Sequence, residues 1–272
     1  GYESVENLTL ITSWILAIAF YLQIYFDFSG YADLAIGSAL LINIKLPLNF
    51  NSPYKSKSLI EFWKRWHMTL SEFLNHYLYV PLLRLCNTIT FARAMLITLF
   101  IMFVSGIWHG AGWGFIIWGL LHGIGLVINH GWSKTKFRLP KGLAWFLTNI
   151  FVMVVLVFFR ASDIQSSFTI LGNMFGFSGL ALPVYFSQFS PDFLNGLVIW
   201  KGNFFQDVGL SFATLFTIFI GFVIVFGFKN SSEMCESFEP NYKWLFFMIV
   251  IFFTSIVFMG AAPTLEFIYY EF

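Results

Sequence analysis

The chain has 272 residues, of which 58% are hydrophobic and 21% aromatic, and only 11% are charged, against about 25% in soluble domains. With 37 phenylalanines and a net charge of +1, an ordinary water-soluble domain is excluded, because a folded surface needs more polar groups than this. No basic patch of the kind that binds nucleic acid is present, and Cys86 and Cys235 stand far apart, without a CxxC or a histidine at ligand spacing, so neither a metal site nor a disulfide framework is expected.

The first residues lack the charged start of a secretory signal. The sequence reads as a single membrane domain over residues 1–272, a piece of a longer protein. Crossing a hydrocarbon core of about 30 Å takes about 20 helical residues. Runs at 8–26, 92–108, 114–128, 142–159, 210–228 and 244–259 approach that length. Residues 31–44 form a shorter apolar run, set apart from the first by a glycine-containing break at Gly30. Residues 67–85 carry Ser71, Glu72, Asn75 and His76. Both are expected to be buried or re-entrant helices, whose polar groups need protein or water around them. The expected fold class is therefore all-α: a polytopic membrane helical protein with re-entrant or interfacial helices.

Most of the 15 basic residues fall at 45–93 and 134–141, which by the positive-inside rule places both segments in the cytoplasm. Residues 92–108 and 114–128 then form one hairpin, and residues 52–85 dip into the membrane without crossing it. Residues 161–209 hold Lys201 against Asp163, Asp192 and Asp207, as an external loop would, lying partly along the membrane surface. The loop at 229–243 returns to the cytoplasm.

An ionisable group in a membrane segment is a candidate functional residue, since its insertion costs about 3 kcal/mol. Asp27 and Asp33 flank the break at Gly30; they could orient a histidine, relay protons, or cap or pair structurally, the last being favoured. Trp63, His67, Ser71 and Asn75 recur every fourth residue, so one unbroken helix would align them on a face lining a passage; an interfacial anchor is the competing reading. His109 sits in Ser105-Gly106-Ile107-Trp108-His109-Gly110-Ala111-Gly112-Trp113, where glycines permit close approach and tryptophans supply walls. A neutral imidazole there suits a general base, and a packing histidine is the alternative. His122 follows by 13 residues, about 220° around an unbroken helix, so the two rings are not expected to meet. His122 and His76 are weaker candidates, and His130 is expected in a loop.

Gln23-Ile24-Tyr25-Phe26-Asp27-Phe28-Ser29-Gly30-Tyr31-Ala32-Asp33, Pro47-Leu48-Asn49-Phe50-Asn51-Ser52-Pro53-Tyr54, Glu61-Phe62-Trp63-Lys64-Arg65-Trp66-His67-Met68-Thr69, Tyr77-Leu78-Tyr79-Val80-Pro81 and Gly106-Ile107-Trp108-His109-Gly110 follow one another in an order and spacing that closely resemble the membrane-bound O-acyltransferases, in particular the alginate O-acetylation branch. The resemblance runs from Gln23 to the closing residues 267–272 and is weakest after Asp163.

It implies the C-terminal part of a many-helix fold pierced by a tunnel, in the cytoplasmic membrane of a bacterium. The histidine of the Trp-His-Gly motif, His109, is implied as catalytic, and that of the Arg-Trp-His motif, His67, as a second important residue. Trp63, Trp66, Ser71, Asn75, Trp108 and Trp113 are the expected tunnel lining, with Asp27 and Asp33 as supporting polar groups. No permanently bound cofactor is implied. An acyl group, expected to be acetyl, would pass from acetyl-coenzyme A or an acyl-carrier thioester to a hydroxyl of an extracytoplasmic polysaccharide or of an exported partner protein. D-alanyl transfer to teichoic acid by a related enzyme, and a proton-coupled transporter, are the alternatives.

Overall fold

The computed structural model describes residues 8–189, 198–202 and 211–261. Asp192, Asp207 and the closing motif at 267–272 lie outside the described residues. Helix α1 (Leu10–Leu41) is followed by a 3-10 turn (Pro53–Lys55), α2 (Leu59–Trp63), α3 (Met68–Leu74), a π-helical turn (Asn75–Tyr79) and α4 (Val80–Arg84). Then come α5 (Phe91–His109), α6 (Trp113–Ser133), α7 (Lys141–Arg160), α8 (Ile164–Met174), α9 (Phe212–Gly227), α10 (Ser231–Glu236) and α11 (Tyr242–Ala261). Among the described residues five helices, α1, α5, α6, α7 and α11, are long and apolar enough to cross a membrane, and α9 is a shorter apolar helix.

The expected break at Gly30 does not occur. Helix α1 is continuous over 32 residues, about 48 Å at 1.5 Å per residue, well beyond the hydrocarbon core. A single glycine costs a helix only about 1 kcal/mol, and beyond it Ala32 is buried in the core. Asp27 and Asp33 are thus mid-helix and cap nothing. Asp27 hydrogen-bonds Gln23 one turn earlier, and Asp33 hydrogen-bonds Ser231 at the start of α10.

The expected helical face through Trp63, His67, Ser71 and Asn75 is also broken. Helix α2 ends at Trp63, and His67 takes a left-handed conformation (φ +43°) as the N-cap of α3. From Met68 the chain runs helically to Arg84, with the π turn just before Pro81. Proline has no N–H to donate and its ring crowds the preceding turn, so the helix widens there.

The core joins α1, α7 and the aromatic segment after Pro53. The Tyr21 and Tyr54 rings stack at 3.7 Å between centroids, Tyr21 donates its hydroxyl to Asn149 of α7, and Tyr54 donates to the Tyr21 carbonyl. Trp145 of α7 donates to the Tyr54 carbonyl at 2.9 Å. Helix α8 docks on α1, with Trp14 donating to the Met174 carbonyl at 3.0 Å, so the first part of the expected surface loop is packed helix. Further on, β1 (Leu180–Pro183) and β2 (Val198–Lys201) pair in parallel, with Leu180 opposite Val198.

Helices α5 and α6 form the expected hairpin, held close by glycines. A Cβ on Gly119 would stand 2.3 Å from the Met102 carbonyl oxygen, and one on Gly106 would stand 2.4 Å from that of Phe115. The two basic segments meet at one end of the helices. Lys134 lies 3.4 Å over the Phe91 ring, and Asn129 accepts from the Ile60 amide at 3.1 Å. At the end of α9, Lys55 donates to the Phe228 carbonyl at 2.6 Å. Asn230 donates to Asn51 at 3.1 Å and to Ser52 at 2.9 Å.

Candidate active site

His109 is the last residue of α5, where Gly110-Ala111-Gly112 ends the helix before α6 begins at Trp113. Its ring is 9% exposed and stands edge-on to Trp108, Trp118 and Phe159 at centroid distances of 4.9, 5.0 and 5.2 Å. Beside it lies a cavity of about 20 Å³ lined by Trp63, Trp66, Trp118 and His122 among others. A water needs roughly 10–15 Å³ of such space, so the cavity holds about one water or one acyl oxygen.

His122 was not expected here. The helical-turn argument against it supposed one unbroken helix, whereas the glycine break folds α6 back along α5 and turns both rings to the same cavity. His122 is 1% exposed, and its Nδ1 accepts from the Trp63 indole at 3.3 Å. A neutral ring that accepts at Nδ1 carries its proton on Nε2. Trp118 packs against both histidines, its ring centroid 5.0 Å from each. A Trp-x-x-x-His spacing from Trp118 to His122 places both on one helical face, and that was the available signal for the pair.

His67 lies on a neighbouring surface. Its Nδ1 is 3.0 Å from Asn49 Oδ1, which also accepts from the Thr69 amide and hydroxyl. That oxygen has no proton to give, so His67 Nδ1 donates and a neutral ring keeps its lone pair on Nε2. Burial pushes the pKa of His67 down to about 4, which leaves the ring neutral near pH 7. His67, Ser105 and Trp108 share a cavity of about 390 Å³ whose other walls are largely apolar. His67 and His109 are near enough to interact electrostatically. Ser105, one turn before His109, is fully buried, and its hydroxyl has no hydrogen-bond partner among the described residues.

The remaining candidates divide among these spaces. Trp63 and Trp66 are buried at the His109 cavity. Trp63, Ser71 and Asn75 line a third cavity of about 210 Å³, and although the helix between them is broken, Ser71 Oγ donates to the Trp63 carbonyl at 3.1 Å. Trp108, 63% exposed, belongs to the His67 cavity. Trp113 is 70% exposed and lines none of the three. Asp27 and Asp33 line none either. Among the described residues no three His, Cys, Asp or Glu side chains gather as a metal site would require.

The sequence profile of the MBOAT, membrane-bound O-acyltransferase family, matches residues 3–170. The chain is 38% identical over 279 residues to the peptidoglycan O-acetyltransferase of Helicobacter pylori (strain ATCC 700392 / 26695), covering 100% of this chain and 51% of that protein. It is 39% identical over 176 residues to the probable alginate O-acetylase AlgI of Pseudomonas aeruginosa, covering 64% of this chain and 33% of that protein. With the teichoic acid D-alanyltransferase of Streptococcus thermophilus the identity is 33% over 180 residues, covering 61% of this chain and 41% of that protein. The chain thus spans about half the length of the first of these relatives and less of the other two. The motif order, the apolar helices and the match over residues 3–170 agree: this multi-pass membrane chain belongs to the membrane-bound O-acyltransferase family.

Proposed function

We propose that the protein carrying this chain is an O-acyltransferase of a bacterial cytoplasmic membrane. It moves an acetyl group from a cytoplasmic thioester, acetyl-coenzyme A or an acyl carrier, to a hydroxyl of an extracytoplasmic glycan or of an exported partner protein. The observation that carries this reading is the His109 ring, buried at the end of α5 against a cavity of one-oxygen size. The larger His67 cavity lies on a neighbouring surface. In the reaction the acceptor hydroxyl attacks the thioester carbon while His109 takes its proton, which requires a separation of roughly 3 Å. His67, whose Nε2 accepts and has no proton to give, positions the thioester donor in the larger cavity, and the proton that the departing thiolate needs comes from His109.

Among acceptors, a peptidoglycan hydroxyl is favoured. The similarity to the Helicobacter pylori peptidoglycan O-acetyltransferase continues along the whole chain, whereas that to the Pseudomonas aeruginosa alginate O-acetylase covers 64% of it. The test supplies radiolabelled acetyl-coenzyme A to the full-length protein in vesicles that enclose peptidoglycan fragments or alginate oligomers. Label is expected on the peptidoglycan fragments with the wild-type protein and on neither glycan with His109→Ala. Undiminished transfer by a correctly inserted His109→Ala protein would remove His109 from the chemistry, and label on alginate alone would reassign the acceptor.

A further inference from the structure

Acyl transfer builds negative charge on the thioester oxygen, and a donor must meet that charge in a dry site. The proposed reaction has a base but so far no such donor. Trp118 Nε1 is a buried N–H with no hydrogen-bond partner among the described residues, on a side chain only 4% exposed. An unpaired buried donor costs about 1–3 kcal/mol, so it calls for an explanation. The indole lines the same one-oxygen cavity as His109 and stands 5.0 Å from its ring. It also packs against His122, 5.0 Å away, which Trp63 in turn holds through Nδ1.

We propose that the Trp118 indole N–H is the donor that stabilises the oxyanion of acyl transfer, with Trp63 and His122 as positioning residues behind it. The inference rests on the acyltransferase reading above. The acceptor oxygen forms its bond to the acyl carbon as its proton passes to His109, and the carbonyl π pair moves onto oxygen, where it accepts from Trp118 Nε1. The pair then returns, the C–S bond breaks, and the departing thiolate takes the proton from His109 to leave as a thiol.

The substitution Trp118→Phe keeps a ring of similar shape and removes the N–H. With acetyl-coenzyme A and the full-length protein, kcat is expected to fall by about a hundred- to a thousand-fold with a much smaller rise in KM for the donor, because the bond to the neutral carbonyl is weaker than the bond to the oxyanion. Trp118→His, which restores a ring N–H, should recover part of the loss. Isotope-edited infrared spectra of bound [1-¹³C]acetyl-coenzyme A should show the carbonyl band shifted down in the wild-type protein and returned in Trp118→Phe. Wild-type kcat in a folded Trp118→Phe protein overturns the proposal. So does an unshifted carbonyl band in the wild-type protein, a measurement that needs no variant to fold. Absence of transfer by the wild-type protein to glycan and to an exported acceptor protein alike would instead sink the acyltransferase reading.

Discussion

Trp63, in a helix of only five residues, donates its indole N–H to Nδ1 of His122 in α6 at 3.3 Å. This bond ties the segment before His67 to the hairpin that carries His109, and it decides which nitrogen of His122 holds the proton. Trp63→Phe would leave a buried acceptor unpaired, at a cost of about 1–3 kcal/mol. A lower unfolding midpoint in detergent is expected, and the ¹⁵N shifts of His122 should change from one tautomer to a mixture. Shifts identical to wild type would mean that the bond does not set the tautomer.

His67 gives a pH signature. Its pKa is pushed down to about 4 by burial, whereas an unfolded histidine titrates near pH 6.5. Between those values the unfolded chain binds a proton that the folded chain refuses, so this group's contribution to stability falls as pH drops from about 6.5 towards 4. Acidifying from pH 7 to 5 should therefore destabilise the wild-type protein more than His67→Gln. Equal losses in a detergent unfolding series would show that His67 is not the group responsible.

The α5–α6 hairpin should tolerate no side chain at Gly119. A methyl group there would stand 2.3 Å from the Met102 carbonyl and 3.1 Å from Gly106 Cα, contacts with backbone that cannot swing aside. Overpacking of this kind costs about 1–3 kcal/mol. Since the hairpin carries His109 at one end, Gly119→Ala should lower both the unfolding midpoint and the transfer rate, whereas Gly131→Ala, in open space on the same helix, should lower neither. A Gly119→Ala protein with wild-type activity and midpoint would mean that the helices part at little cost.

Much of this was legible in the sequence. Long apolar runs announce helices because lipid leaves the backbone no other partner, and Gly110-Ala111-Gly112 announces the turn that folds α5 against α6. What escaped depends on contacts between distant segments. The continuity of α1 through Gly30 goes with the burial of Ala32 and the bond from Asp33 to Ser231, which a local glycine does not report. The left-handed turn at His67 rests on Asn49, 18 residues earlier. Its carbonyl takes the Met68 amide at 2.9 Å and its side chain takes the ring. His122 was set aside by counting residues around a helix that is in fact two. The Trp118-to-His122 spacing puts that indole and imidazole on one helical face, but the unpaired state of the Trp118 N–H depends on the packing around it.

The bonds from Lys55 to Phe228 and from Asn230 to Asn51 and Ser52 join parts of the chain 173 to 179 positions apart. Asn51 also exchanges hydrogen bonds with Arg65, so the strap that shapes the turn at His67 is itself anchored from far downstream. During synthesis, the early helices must wait in the bilayer with this strap unanchored until Asn230 has emerged from the ribosome. The order of translation therefore makes bracing of the His67 turn a late event in assembly, after the hairpin bearing His109 has already been made.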